Sequence, residues 1–102
     1  MGISRITGLN YSCLERLLTT VDRGSFAAAS EALSLTLSAV SKSVGKTEKE
    51  LGIPLIERDG RSIKPTKAGL LVCSKGTELL SIAEDIMRIA EQFLEEKGNA
   101  EE

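Results

Sequence analysis

The run GSFAAASEALSLTLSAVSKSVGKTEKELG, from Gly24 to Gly52, constrains the fold more than any other part of the chain. Phe26, Ala29 and Leu33 recur at spacings of three and four, which places them on one face of a helix. Val40, Val44, Thr47 and Leu51 take up the same spacing after a break at Ser34 and Leu35. Ser25 and Thr36 stand where N-caps belong, and the alanines at 27 to 29 are strong helix formers. Gly52 stops the second helix and Pro54 prevents it from resuming. Two short helices joined by a tight turn are the layout of a helix-turn-helix, whose second helix enters the major groove of DNA.

The flanking segments read as supports for that pair. Asn10 caps a first helix that runs to about Asp22, with Leu14, Leu17, Leu18 and Val21 as its apolar stripe and Gly24 at its end. Residues 1 to 9 read as a loose leader. Beyond Gly52, Asp59-Gly60 sits between Leu55-Ile56 and Ile63, a hairpin signal that predicts a two-stranded wing. Thr66 caps a last helix from Lys67 to about Glu96, which Gly76 interrupts and is expected to kink. The tail 98–102 is expected to fray. The predicted fold is therefore mainly α: three helices plus a two-stranded wing over residues 1–65, then a long linker or dimerisation helix over 66–97. Aromatic residues make up only 3% of the chain, which suits packed helices better than a β-sandwich.

Charge is divided along the chain. The net charge is −2, yet residues 42–67 hold seven Lys and Arg against four Asp and Glu, a local +3. Residues 78–102 hold two basic against eight acidic residues, a local −6. Phosphate responds to the local field, so the middle segment is the candidate polyanion surface. Its strength is modest, which points to weak non-specific affinity and a need for dimerisation. In the last helix Leu79, Ile82, Ile86, Ile89 and Phe93 step by 3, 4, 3, 4, a coiled-coil period. That stripe is either a dimer seam or packing against the first helix, and the two roles can divide the helix between them.

Other chemistry finds little purchase. The chain has no histidine, the commonest general base and metal ligand. Ser43 and Lys46 match a bare SxxK, without the further motifs or the larger fold that such enzymes need. No glycine-rich phosphate loop occurs, so no catalytic residue, cofactor or metal is assigned. Cys13 and Cys73 fit no metal-ligand spacing and are expected to be free thiols in a cytoplasmic protein; a regulatory disulfide would need both side chains to meet. No apolar run reaches the length that spans a bilayer, and the first residues lack the apolar block of a signal peptide.

Four pieces in order, GSFAAASEAL (24–33), SAVSK (38–42), KELGIPLIERDGR (49–61) and PTKAG (65–69), resemble the N-terminal DNA-binding domain of LysR-type transcriptional regulators. The likeness covers about residues 9 to 96. It implies a winged helix-turn-helix, a linker helix that pairs two subunits, and binding to double-stranded DNA as a homodimer at a roughly palindromic site. An effector-binding domain normally follows, so a small-molecule effector is implied only if such a domain exists. The polar end at 98–102 sits where the family's hinge would lie, which favours a fragment over a naturally short protein.

The resemblance makes Lys42 the chief contact, to a guanine edge or a phosphate; the alternative is a solvated surface lysine. Ser38 and Ser41 lie on the same first turns of the third helix, as base or phosphate contacts or as plain surface hydroxyls. Lys46 is counted with them. Thr36 is expected to cap the helix and donate to a phosphate. Leu37 either touches a thymine methyl or simply packs. Arg61 at the wing tip is placed for the minor groove, with Lys64 and Lys67 on phosphates unless those two lysines serve only solubility. Arg58 ranks lower, since Glu57 or Asp59 can pair with it. The chain differs from the family's usual pattern at Leu37, where Gln is common, and at Gly45, Thr47 and Ile56, differences that bear on the target sequence more than on the fold. The alternative function is a protein-interaction module that dimerises with full-length relatives and blocks their DNA binding.

Overall fold

The computed structural model describes the backbone from Leu9 to Glu101 and side chains from Leu9 to Lys97. The first eight residues of the expected leader, Glu102, and the side chains of the expected tail lie outside the described residues. The order is α1 (Tyr11–Arg23), α2 (Phe26–Leu33), α3 (Leu37–Leu51), β1 (Ile56–Asp59), β2 (Ser62–Pro65) and α4 (Lys67–Glu101).

Each helix begins where a short polar side chain can satisfy a free backbone N–H. The side chains of Asn10, Ser25, Thr36 and Thr66 accept from the N–H groups of Cys13, Ala28, Ala39 and Gly69 at 2.9–3.0 Å. Helices α1 and α3 end on Gly24 and Gly52 in the left-handed conformation, as a C′ glycine allows. The break between α2 and α3 is made at Ser34, which takes a positive φ of 56° without being glycine. The amphipathic spacing of α1 to α3 then drives one core. Leu17, Phe26, Ala29, Val40 and Val44 meet there with Leu55 and Ile63 from the wing and Cys73 from α4. Thr47 is fully buried and donates its hydroxyl to the Ser43 carbonyl at 3.2 Å.

The wing is a two-stranded antiparallel hairpin with Arg58 opposite Ile63 and Glu57 opposite Lys64. Gly60 takes φ +64° at the first of its two loop positions. Among the hydrogen bonds that tie the hairpin and its flanks to the helix ends are Ile63 N–H to the Gly24 carbonyl at 2.8 Å, Thr66 N–H to the Leu55 carbonyl at 3.0 Å, and the Thr66 hydroxyl to the Pro54 carbonyl at 2.8 Å.

Helix α4 differs from the sequence expectation in two ways. It continues through Glu101, past the end expected near Glu96 and into the stretch expected to fray. A lone glycine at 98 costs a helix only about 1 kcal/mol, and residues 99–102 include no proline. It also passes through Gly76 as one helix, and Gly76 has a packing role. A Cβ there would lie 3.2 Å from Leu18 and 3.4 Å from Leu14, so glycine lets α1 and α4 come close. The apolar stripe divides along the helix: Cys73 is buried in the core, whereas Leu79, Ile82, Ile86, Ile89 and Phe93 are 47–65% exposed.

Candidate nucleic-acid interface

Helix α3 buries Val40, Ser43, Val44 and Thr47 on one side. Its 100° step per residue then places Ser38, Ser41, Lys42, Gly45, Lys46 and Lys49 on the opposite arc. All but Ser41 are exposed, and the half-buried Ser41 donates its hydroxyl back to the Ser38 carbonyl at 3.3 Å. Thr36 stands exposed at the head of this arc as the cap of α3. Leu37, the first helical residue, lies at the arc's edge and is 52% exposed, so it does not pack into the core.

The wing comes to the same end of α3. Leu37 and Arg61 line one cleft of about 320 Å³, together with Ala27 and the hairpin loop, over a floor that includes the buried Phe26 and Ile63. Two candidate contacts that are 24 positions apart in sequence thus face a common space. Lys64 and Lys67 are also exposed, on β2 and at the start of α4. Lys64 stands opposite Glu57 in the hairpin, which dilutes its field.

Three residues that place this surface were not recognised from sequence. Glu48, counted there only as a charge, accepts from the N–H groups of Leu55 and Ile56 at 2.7 and 3.2 Å. It ties the last turn of α3 to the first strand of the wing. Arg58 does not pair with Glu57 or Asp59: its guanidinium lies 5.0 Å from the centroid of the Phe26 ring, joining the wing to α2. Strand alternation could have shown this, since Arg58 shares the inner face of the hairpin with Ile63. Gly69 packs so tightly on the Leu55 carbonyl that a Cβ would lie 1.9 Å from the oxygen. The ion pairs of Arg23 with Asp22, Lys75 with Glu78 and Arg88 with Asp85 lie on α1 and α4, away from this surface.

Both cysteines are free thiols and buried. The Cys13 sulfur accepts from the Ser43 hydroxyl at 3.6 Å, and burial pushes the Cys73 thiol above its ordinary value. Among the described residues no cluster of His, Cys, Asp and Glu could hold a metal, and no helix is long and apolar enough to cross a membrane.

Residues 13–70, spanning all three helices, the wing and the start of α4, match the profile of the bacterial regulatory helix-turn-helix proteins, lysR family. The chain belongs to the LysR family. LysR-type proteins are DNA-binding transcriptional regulators rather than enzymes, and the winged helix-turn-helix followed by a long helix is their fold. An uncharacterised HTH-type transcriptional regulator from the ibpB–leuC intergenic region of Azotobacter vinelandii is 34% identical over 80 residues, covering 78% of this chain and 56% of that protein. A probable RuBisCO transcriptional regulator of Nostoc is 36% identical over 75 residues, covering 74% of this chain and 22% of that protein. The chain thus spans about half of the first relative and less than a quarter of the second. Among solved structures, the BenM DNA-binding domain in complex with benA site 1 DNA matches with a TM-score of 0.77 and 26% identity, covering 82% of this chain and 98% of that one.

Proposed function

We propose that this LysR-type domain binds double-stranded DNA sequence-specifically as a homodimer and regulates transcription in the cytoplasm. The observation that carries the reading is the single surface formed by the polar arc of α3 and the wing tip across the cleft from it. Lys42 is the chief contact, with Ser38, Ser41 and Lys46 beside it in the major groove. Thr36 presents the start of α3 to a phosphate, where free N–H groups favour an anion. Arg61 enters the neighbouring minor groove, and Lys64 and Lys67 meet flanking phosphates. The likeness to the BenM DNA-binding domain, solved in complex with benA site 1 DNA, supports double-stranded DNA as the partner. Residues up to 65 form the DNA-binding unit and 66–97 the linker. The exposed stripe from Leu79 to Phe93 pairs two copies, because so much apolar surface on one helix has no cover among the described residues. A small-molecule effector would require a further domain.

Leu37 and Gly45, beside and on the reading arc, favour a second reading. A domain poor in base-reading groups would pair with full-length relatives and hold them off DNA.

Enrichment of a random duplex pool, followed by footprinting and sedimentation, separates the two. The first reading requires a dimer protecting two half-sites spaced by whole helical turns, and an Ile86→Asp variant that is monomeric and binds weakly. A dimer that enriches no duplex would refute it in favour of the second. A wild-type monomer would refute the role given to α4.

A further inference from the structure

Leu37 is a large apolar residue exposed at the interface. It opens α3, has no hydrogen-bonding group in its side chain, and is half exposed. Helical side chains lean toward the N-terminus, so its isobutyl group projects past the end of α3. There it forms one wall of the cleft, with Ala27 and Arg61 as neighbours.

We propose that Leu37 is a specificity-determining residue that reads the 5-methyl group of a thymine in the major groove. The inference rests on the DNA-binding reading above and gives it a base preference. Residues at the N-terminal end of a recognition helix are the ones that reach base edges. Every base pair presents donors and acceptors in the major groove, but only thymine adds an apolar group there. Leucine placed over a guanine, cytosine or adenine edge would strip water from polar atoms and return no hydrogen bond, which is unfavourable. Over a thymine methyl it buries apolar surface on both partners. Leu37 thereby does by shape and apolar contact what an amide in its place would do with hydrogen bonds.

Uracil tests this cleanly, because replacing thymine with uracil removes the methyl group and leaves base pairing intact. The most enriched duplex from the random pool is resynthesised with each thymine replaced in turn. Wild-type protein should lose about fourfold in affinity at one thymine of each half-site, the equivalent of one buried carbon group. The salt dependence should not change, since no phosphate contact is altered. Leu37→Ala should bind the thymine and uracil duplexes equally, whereas Leu37→Met, still apolar and long, should keep the preference. The exposure of Leu37 makes these substitutions gentle on folding, and circular dichroism verifies that. Indifference of the wild type to every uracil, or discrimination that survives in Leu37→Ala, would overturn the inference alone. Failure to enrich any duplex would overturn the DNA-binding reading and this inference with it.

Discussion

Replacing Gly69 with alanine adds one carbon at a point where the backbone of another segment already lies. The new Cβ would sit 1.9 Å from the Leu55 carbonyl oxygen and 2.9 Å from its carbon. Carbon–oxygen contacts settle at about 3.3 Å or more, so α4 and Leu55 would have to part by roughly 1.4 Å. Leu55 is fully buried, and both its backbone groups are engaged: its N–H with Glu48 at 2.7 Å and its carbonyl with Thr66 N–H at 3.0 Å. Overpacking of this kind costs about 1–3 kcal/mol, and each weakened hydrogen bond about 1 kcal/mol more. The better helix propensity of alanine returns about 1 kcal/mol. The net loss is about 3 kcal/mol, or roughly 12–24 °C in Tm for a domain this size. Gly45→Ala is the control. It lies exposed within α3 with nothing within 4 Å of the added carbon. It should gain about 0.5–1 kcal/mol. Urea unfolding followed by helical circular dichroism reads both, at one fixed protein concentration so that any self-association contributes equally. A Gly69→Ala protein within about 0.5 kcal/mol of wild type, when overpacking alone should cost more, would refute the claim that α4 and Leu55 are locked together.

Glu48→Ala removes the acceptor for two wing N–H groups and should cost about 1–2 kcal/mol, with Glu48→Gln recovering part through its remaining carbonyl oxygen. Chemical denaturation checks the stability, and a DNA affinity that falls further than that of an equally destabilised core variant checks the positioning role. Cys73 should resist thiol reagents in the folded protein and react once urea unfolds it, because the thiolate is the nucleophile and burial disfavours it. The sign of its pH effect follows from the raised folded value. Its contribution is fully present below the ordinary value of 9.0 and is lost as pH rises through the folded value. Stability measured across that alkaline range should therefore fall more steeply in wild type than in Cys73→Val.

The fold was legible in the sequence because its boundaries are made by local chemistry. Asn10, Ser25, Thr36 and Thr66 cap, Gly24 and Gly52 terminate, and Asp59-Gly60 turns, each by groups within a few residues of one another. The polar arc of α3 was legible for the same reason, since helical period alone separates it from Val40, Val44 and Thr47. What stayed hidden depends on approach between distant segments. The spacing of Leu37 and Arg61 across the cleft depends on how Glu48 and the Gly24 carbonyl hold the hairpin. Gly76 reads as a helix weak point until α1 is seen against it, and the role of Gly69 shows only once the Leu55 carbonyl is seen against it. Arg58 carries obvious acidic neighbours in sequence, yet pleating turns it toward Phe26. The far end of α4 runs past the end expected near Glu96 because a single glycine weakens a helix without ending it.

The assignment of the interface is tested most directly by fluorescence anisotropy against the enriched duplex over a series of salt concentrations, with wild type, Lys42→Ala and Arg61→Ala. Salt-sensitive binding that both substitutions weaken is the expected result. The logarithmic salt slope should become shallower by about 0.9 for each phosphate contact removed. A wild-type protein that is folded and dimeric yet fails to bind at low salt, or two variants that bind as wild type does, would contradict the placement of DNA on α3 and the wing.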